Sequence, residues 1–91
     1  MTTSKTIVQI INEWLDSADI AEVSKRSYRA KLNLWFRWLN NIHYDVRRPT
    51  RQQVLDYKRH LEAEGKSSLT VDSYITAVRL FYRYCVRMRY Y

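Results

Sequence analysis

A single glycine, a single proline and a single cysteine are spread over 91 residues. So few turn-formers exclude a turn-rich all-β chain and favour helices joined by short connections. One thiol, Cys85, permits no internal disulfide, and its place on a helical stripe marks a buried, inert side chain in a reducing compartment. No apolar stretch approaches the roughly 20 residues of a membrane span. Residues 1–12 lack the basic start and long apolar run of a secretory signal. Catalytic and metal-binding patterns are missing too. His43 and His60 are isolated, with no second ligand at i+4 and no cysteine pair. The one glycine ends a helix, so no glycine-rich phosphate loop exists, and nothing orders a Ser-His-Asp set. Neither an enzyme's catalytic set nor a cofactor is expected from these residues.

What is present is apolar and aromatic. A hydrophobic content of 46%, with three Trp, eight Tyr and two Phe, describes one globular domain with a modest core. The net charge of +7 is unevenly placed. Residues 1–22 set Lys5 against Glu13, Asp16, Asp19 and Glu22, a net of −3, whereas residues 23–91 hold fifteen basic and five acidic side chains. Such segregation points to a polyanionic partner on one side of the fold.

The chain writes one pattern twice. Ser24–Leu39 (SKRSYRAKLNLWFRWL) and Thr70–Cys85 (TVDSYITAVRLFYRYC) agree at Ser27/Ser73, Tyr28/Tyr74, Leu34/Leu80 and Arg37/Arg83. Two copies are too few for a solenoid, so the natural unit is a helical hairpin used twice. Taken in order, Thr3 or Ser4 caps a first helix to about Leu15, with Ile7, Val8, Ile10, Ile11, Trp14 and Leu15 on one face. The second helix runs to about Asn41. It starts either at the capping box Asp19-x-x-Glu22 or at Ser24, stapled by Val23 and Tyr28. Tyr28, Leu32, Trp35, Phe36, Leu39 and Ile42 form its buried stripe. Pro49 forbids helix at Arg48, and Thr50-x-x-Gln53 is a capping box for a third helix that Gly65 ends. The fourth is capped by Ser67 or Ser68 and turns Val71, Tyr74, Ile75, Val78, Phe81, Tyr82 and Cys85 inward. It reaches Tyr90-Tyr91 without a capping signal, as a cut through a larger protein would.

Two of these helices are basic and open with hydroxyl clusters. Helix N-termini offer free N–H groups and a positive dipole end to anions. Ser24, Ser67, Ser68 and Thr70 add hydroxyl donors there, and Lys25, Lys31 and Lys66 add charge. Ser27, Lys31 and Ser73, one to two turns in, can reach base edges in a major groove. These hydroxyls also suffice as plain helix caps, and the two roles are compatible. A different class, a helical protein-interaction module without DNA binding, draws on Leu34, Trp38, Leu80 and Tyr84, apolar positions outside the main stripes.

The stretch S-K-R-S-Y-R-A-K-L-N-L-W-F-R-W-L resembles the T-x-x-x-Y-x-x-x-L-x-x-F-x-x-W-L pattern of the tyrosine recombinases, or phage integrases. Residues 50–57 look like the start of their third helix. Gly65–Thr70 with Ala77–Tyr84 is similar to their fourth. The resemblance covers nearly the whole chain and implies an all-α, SAM-like N-terminal core-binding domain: a four-helix orthogonal bundle of two helical hairpins. It implies half of a C-shaped clamp on double-stranded DNA, with contacts at Ser24, Arg26, Ser27, Lys31, Lys66, Ser68, Thr70 and Ser73. Ser24 departs from the usual Thr, and Asp72 puts an acid near the groove face, to read a cytosine or to pair with Lys66. Periodicity alone instead selects the stripe Arg26–Arg29–Arg37 with Arg79–Arg83–Arg87. The catalytic residues of the family belong to a further domain, so residues 1–91 are expected to be a non-catalytic fragment. It would be a monomer alone, meeting other recombinase protomers in a synaptic complex, in a bacterial cytoplasm at the nucleoid and away from membranes.

Overall fold

The computed structural model describes residues 6–17, 20–47 and 49–91. Among the described residues, four helices account for the regular structure: α1 (Ile7–Ser17), α2 (Glu22–Asn41), α3 (Arg51–Ala63) and α4 (Ser68–Arg87). Among the described residues there is no strand, and none of the helices is long and apolar enough to cross a membrane. The expected all-α class is observed: two successive helical hairpins share one core, with α4 packed against α1, α2 and α3.

The written repeat is a repeat in space. Adding 46 to the bounds of α2 gives the bounds of α4, and adding it to Ser17, the end of α1, gives Ala63, the end of α3. Buried positions follow the same shift: Leu32, Trp35 and Leu39 correspond to Val78, Phe81 and Cys85. Phe81 lies at the centre, with the rings of Trp14, Phe36 and Tyr82 at 5.8, 5.7 and 5.2 Å. Edge-to-face packing of this kind adds to plain area burial. Trp35 and Tyr82 satisfy each other's polar atoms within the aromatic core. Trp35 Nε1 donates to Tyr82 Oη at 3.1 Å, and Tyr82 Oη donates to the Val46 carbonyl, which pins the connection after α2 onto α4.

Helix starts follow the sequence in part. Thr50 and Gln53 form the capping box, and Ser67, not Ser68, caps α4, its Oγ accepting from Thr70 N at 3.3 Å. Ser24 caps nothing. α2 begins at Glu22 after an extended Ala21 without any side-chain cap, which leaves Ser24 exposed inside the first turn. Asp19, Thr3, Ser4 and Arg48 lie outside the described residues. At α1 the reciprocal pair is instead Thr6 with Gln9: Thr6 Oγ1 accepts from Gln9 N at 3.2 Å, and Gln9 Oε1 accepts from Thr6 N at 2.9 Å.

Three helix ends share one geometry. His43 (φ 56°), Gly65 (φ 86°) and Arg89 (φ 60°) are left-handed. The following N–H groups, of Tyr44, Lys66 and Tyr90, return to the carbonyls of Leu39, Leu61 and Cys85 at 3.0, 3.3 and 2.9 Å. This is the Schellman arrangement, which satisfies carbonyls that the helix leaves open. α4 thus ends at Met88 despite the lack of a glycine signal. Tyr90 then folds back. Its hydroxyl and that of Tyr84 both donate to Glu13 Oε2 at 2.5 Å, tying α1 to the end of α4. Some stripe assignments shift accordingly. Val8 and Ile42 are exposed, Ile42 because it is already the C-cap, while Ala77 and Tyr84 are buried.

Candidate nucleic-acid interface

Lys31 marks the place where the two long helices meet. Its Nζ donates to Ser73 Oγ at 2.5 Å and stands 5.9 Å from the centroid of Tyr28 and 5.8 Å from that of Tyr74. Tyr74 also carries Lys66, whose Nζ is 5.5 Å from the ring. One aromatic ring therefore holds two ammonium groups, one from α2 and one from the α3–α4 connection. Cation–π attraction of this size offsets part of the repulsion between them. Lys31, Lys66 and Ser73 are half-buried, so their aliphatic stems are covered and their polar ends have few alternative positions.

The remaining predicted residues surround this centre more loosely. Ser67 is the α4 cap and donates to Thr70 Oγ1 at 2.9 Å; Ser68 and Thr70 are exposed in the first turn behind it. The α4 dipole adds partial positive charge beside Lys66. On α2, Lys25 is half-buried and paired with Glu22 at 3.3 Å, Ser27 is half-buried, and Ser24 and Arg26 are exposed. The contacts join Lys31, Ser73 and Lys66 through Tyr74; they do not join Ser24 or Arg26 to that group. Asp72 is exposed and makes no ion pair with Lys66, which faces Tyr74 instead.

The arginine stripe selected by periodicity is partly engaged elsewhere. Arg29 donates to Asn12 of α1 at 2.8 Å, and Arg87 lies over Tyr84 at 5.6 Å. Of the four apolar positions read as a protein-binding patch, Tyr84 is buried, Trp38 and Leu80 are half-buried against the core, and Leu34 is exposed.

Sequence reasoning missed the clamp formed by Tyr28 and Tyr74. The signal was present, since they are an identical pair in the two copies, but helical spacing assigned both to the buried stripe. Tyr57, on one face of α3 with Val54 and Leu61, is buried as that spacing implies. The rings of Trp38 and His60 lie at 5.1 and 6.2 Å from its own, and the Tyr57 hydroxyl has no hydrogen-bond partner. Burial first, then Tyr74 and Glu64, hold that hydroxyl far above the ordinary tyrosine range. Among the described residues, no three His, Cys, Asp or Glu side chains gather as a metal site would require.

Comparison of the chain with curated proteins and with solved structures gave no match. Comparison with family models matched residues 11–89, under the description phage integrase, N-terminal SAM-like domain.

Proposed function

Because the chain belongs to the family of phage integrase N-terminal SAM-like domains, we propose that it binds duplex DNA as the core-binding half of a tyrosine recombinase clamp. The N-terminal halves of α2 and α4 face the major groove. Lys31, Ser73 and Lys66 form the centre of the contact. Ser24, Lys25, Arg26, Ser27, Ser67, Ser68 and Thr70 lie around it. Strand cleavage belongs to a catalytic domain of the parent protein, and residues 1–91 supply orientation and part of the site recognition.

The observation that carries this reading is the lysine pair on Tyr74, with Lys31 bonded to Ser73. It gathers cationic groups from two elements at one place, where a phosphate run can meet them together. Fifteen basic against five acidic residues after residue 22 extend the attraction beyond that centre. Sequence-independent affinity then comes from counterion release and falls steeply with salt. In fluorescence anisotropy with a random duplex, Lys31→Ala and Lys66→Ala should each weaken binding more than Lys58→Ala on the exposed face of α3. They should also flatten the slope of log affinity against log salt. Equal losses from all three substitutions, or binding indifferent to salt, sink the proposal.

A further inference from the structure

The second half of α4 and the start of α3 enclose an open groove of about 440 Å³ that the DNA reading does not use. Val54, Tyr82 and Val86 give it an apolar lining, and Arg51, Arg79 and Arg83 line it with charge. Val86 is 65% exposed, so part of the apolar surface is open to solvent. The three arginines are exposed and, among the described residues, make no ion pair. Arg79 and Arg83 are four apart on one helix, a spacing at which like charges repel. We propose that this groove docks an acidic segment of a partner protein that carries aliphatic side chains, its carboxylates on the arginines and its apolar residues on the Val54–Tyr82–Val86 surface.

Two other occupants fit less well. Tyr82 follows Ser73 by nine residues, which at roughly 100° per residue places it about half a turn around α4. A duplex held at Lys31 and Ser73 therefore lies away from the groove, and a phosphate run has nothing to cover an apolar surface. A second copy of the chain carries a net charge of +7. Of its N-terminal acids, Glu13 accepts from Tyr84 and Tyr90, and Glu22 pairs with Lys25. The net repulsion between two such copies favours carboxylates from another protein. Nothing in this inference depends on DNA binding.

The test uses the 91-residue chain and a fluorescein-labelled helical peptide with Glu and Leu on one face, beside twins with Glu→Gln and Leu→Ser. Saturable binding is expected. It should be at least about tenfold weaker for either twin and for Arg79→Ala/Arg83→Ala, and unchanged by Lys31→Ala. Amide NMR shifts should centre on Val54, Tyr82 and Val86. Circular dichroism confirms that the double variant, altered only at exposed positions, stays folded. The proposal is overturned by no saturable binding, by equal affinity for the Gln twin, or by shifts centred on Lys31. It is equally overturned if duplex DNA, or the protein's own rising concentration, produces the groove shifts instead.

Discussion

Lys31 is an unusual lysine for a basic surface because so little of its freedom remains. A free lysine loses side-chain entropy whenever it is fixed on a ligand. Here Ser73, Tyr28 and Tyr74 have already restricted it. In the proposed DNA contact, Ser73 would act chiefly through Lys31. Ser73→Ala should lower duplex affinity by less than Lys31→Ala does, and should lower unfolding free energy by about 0.5–1.5 kcal/mol, the range for one net hydrogen bond. Anisotropy and urea denaturation on the same variants check both. A loss of affinity equal to that of Lys31→Ala would mean that the hydroxyl itself meets the ligand. The sequence showed Lys31, Ser73 and Lys66 as separate polar residues near helix starts. It did not show their connection, because Tyr74 on a stripe edge has the same spacing as a core residue, and only packing decides which way its ring turns.

Helix ends divide in the same way between what local chemistry announces and what tertiary packing imposes. Thr50-x-x-Gln53 and Gly65 were legible, since the side chains that satisfy the backbone are the sequence signal itself. His43 and Arg89 were not. Each occupies a left-handed conformation that costs an L-residue about 1–2 kcal/mol, and each is followed by a tyrosine, Tyr44 or Tyr90, that packs against the core. Burial of the tyrosine holds the strained turn in place. His43→Gly should relieve that strain and raise unfolding free energy by about 0.5–1 kcal/mol, after allowance for glycine's greater freedom in the unfolded chain. Thr50→Ala should do the reverse, costing about 1 kcal/mol through loss of the cap. Both shifts are readable in urea midpoints. A midpoint unmoved or lowered by His43→Gly would show that the turn carries no strain.

At the scale of the molecule, the shift of 46 residues relating the two hairpins was visible in the written repeat, and so were the all-helical class and most of the core. Charge segregation was visible as well, but not which cations converge. Alkaline stability was hidden, because it depends on burial. Burial holds Cys85 up to about 12, and burial together with the Glu13 carboxylate pushes Tyr84 to about 12. Tyr91 also reaches about 12, chiefly through burial. Their ordinary values are 9.0 for the thiol and 10.0 for the tyrosines. Folded values raised above unfolded ones mean that the folded chain retains protons the unfolded chain would release. This contribution is complete below about pH 9 and is lost as pH climbs through about 12. Helix content by circular dichroism and tyrosinate absorbance should therefore change together in that window. Free ionisation of all the tyrosines near pH 10, with the helices intact, would refute it.

The shared carboxylate of Glu13 has a mechanical side. Because it holds Tyr84 and Tyr90 at once, a load applied beyond Tyr91 and resisted at α1 meets two hydroxyl contacts before α4 can peel away. A Glu13→Gln chain pulled in an optical trap should yield at lower force than its parent, with the first extension arising at that seam.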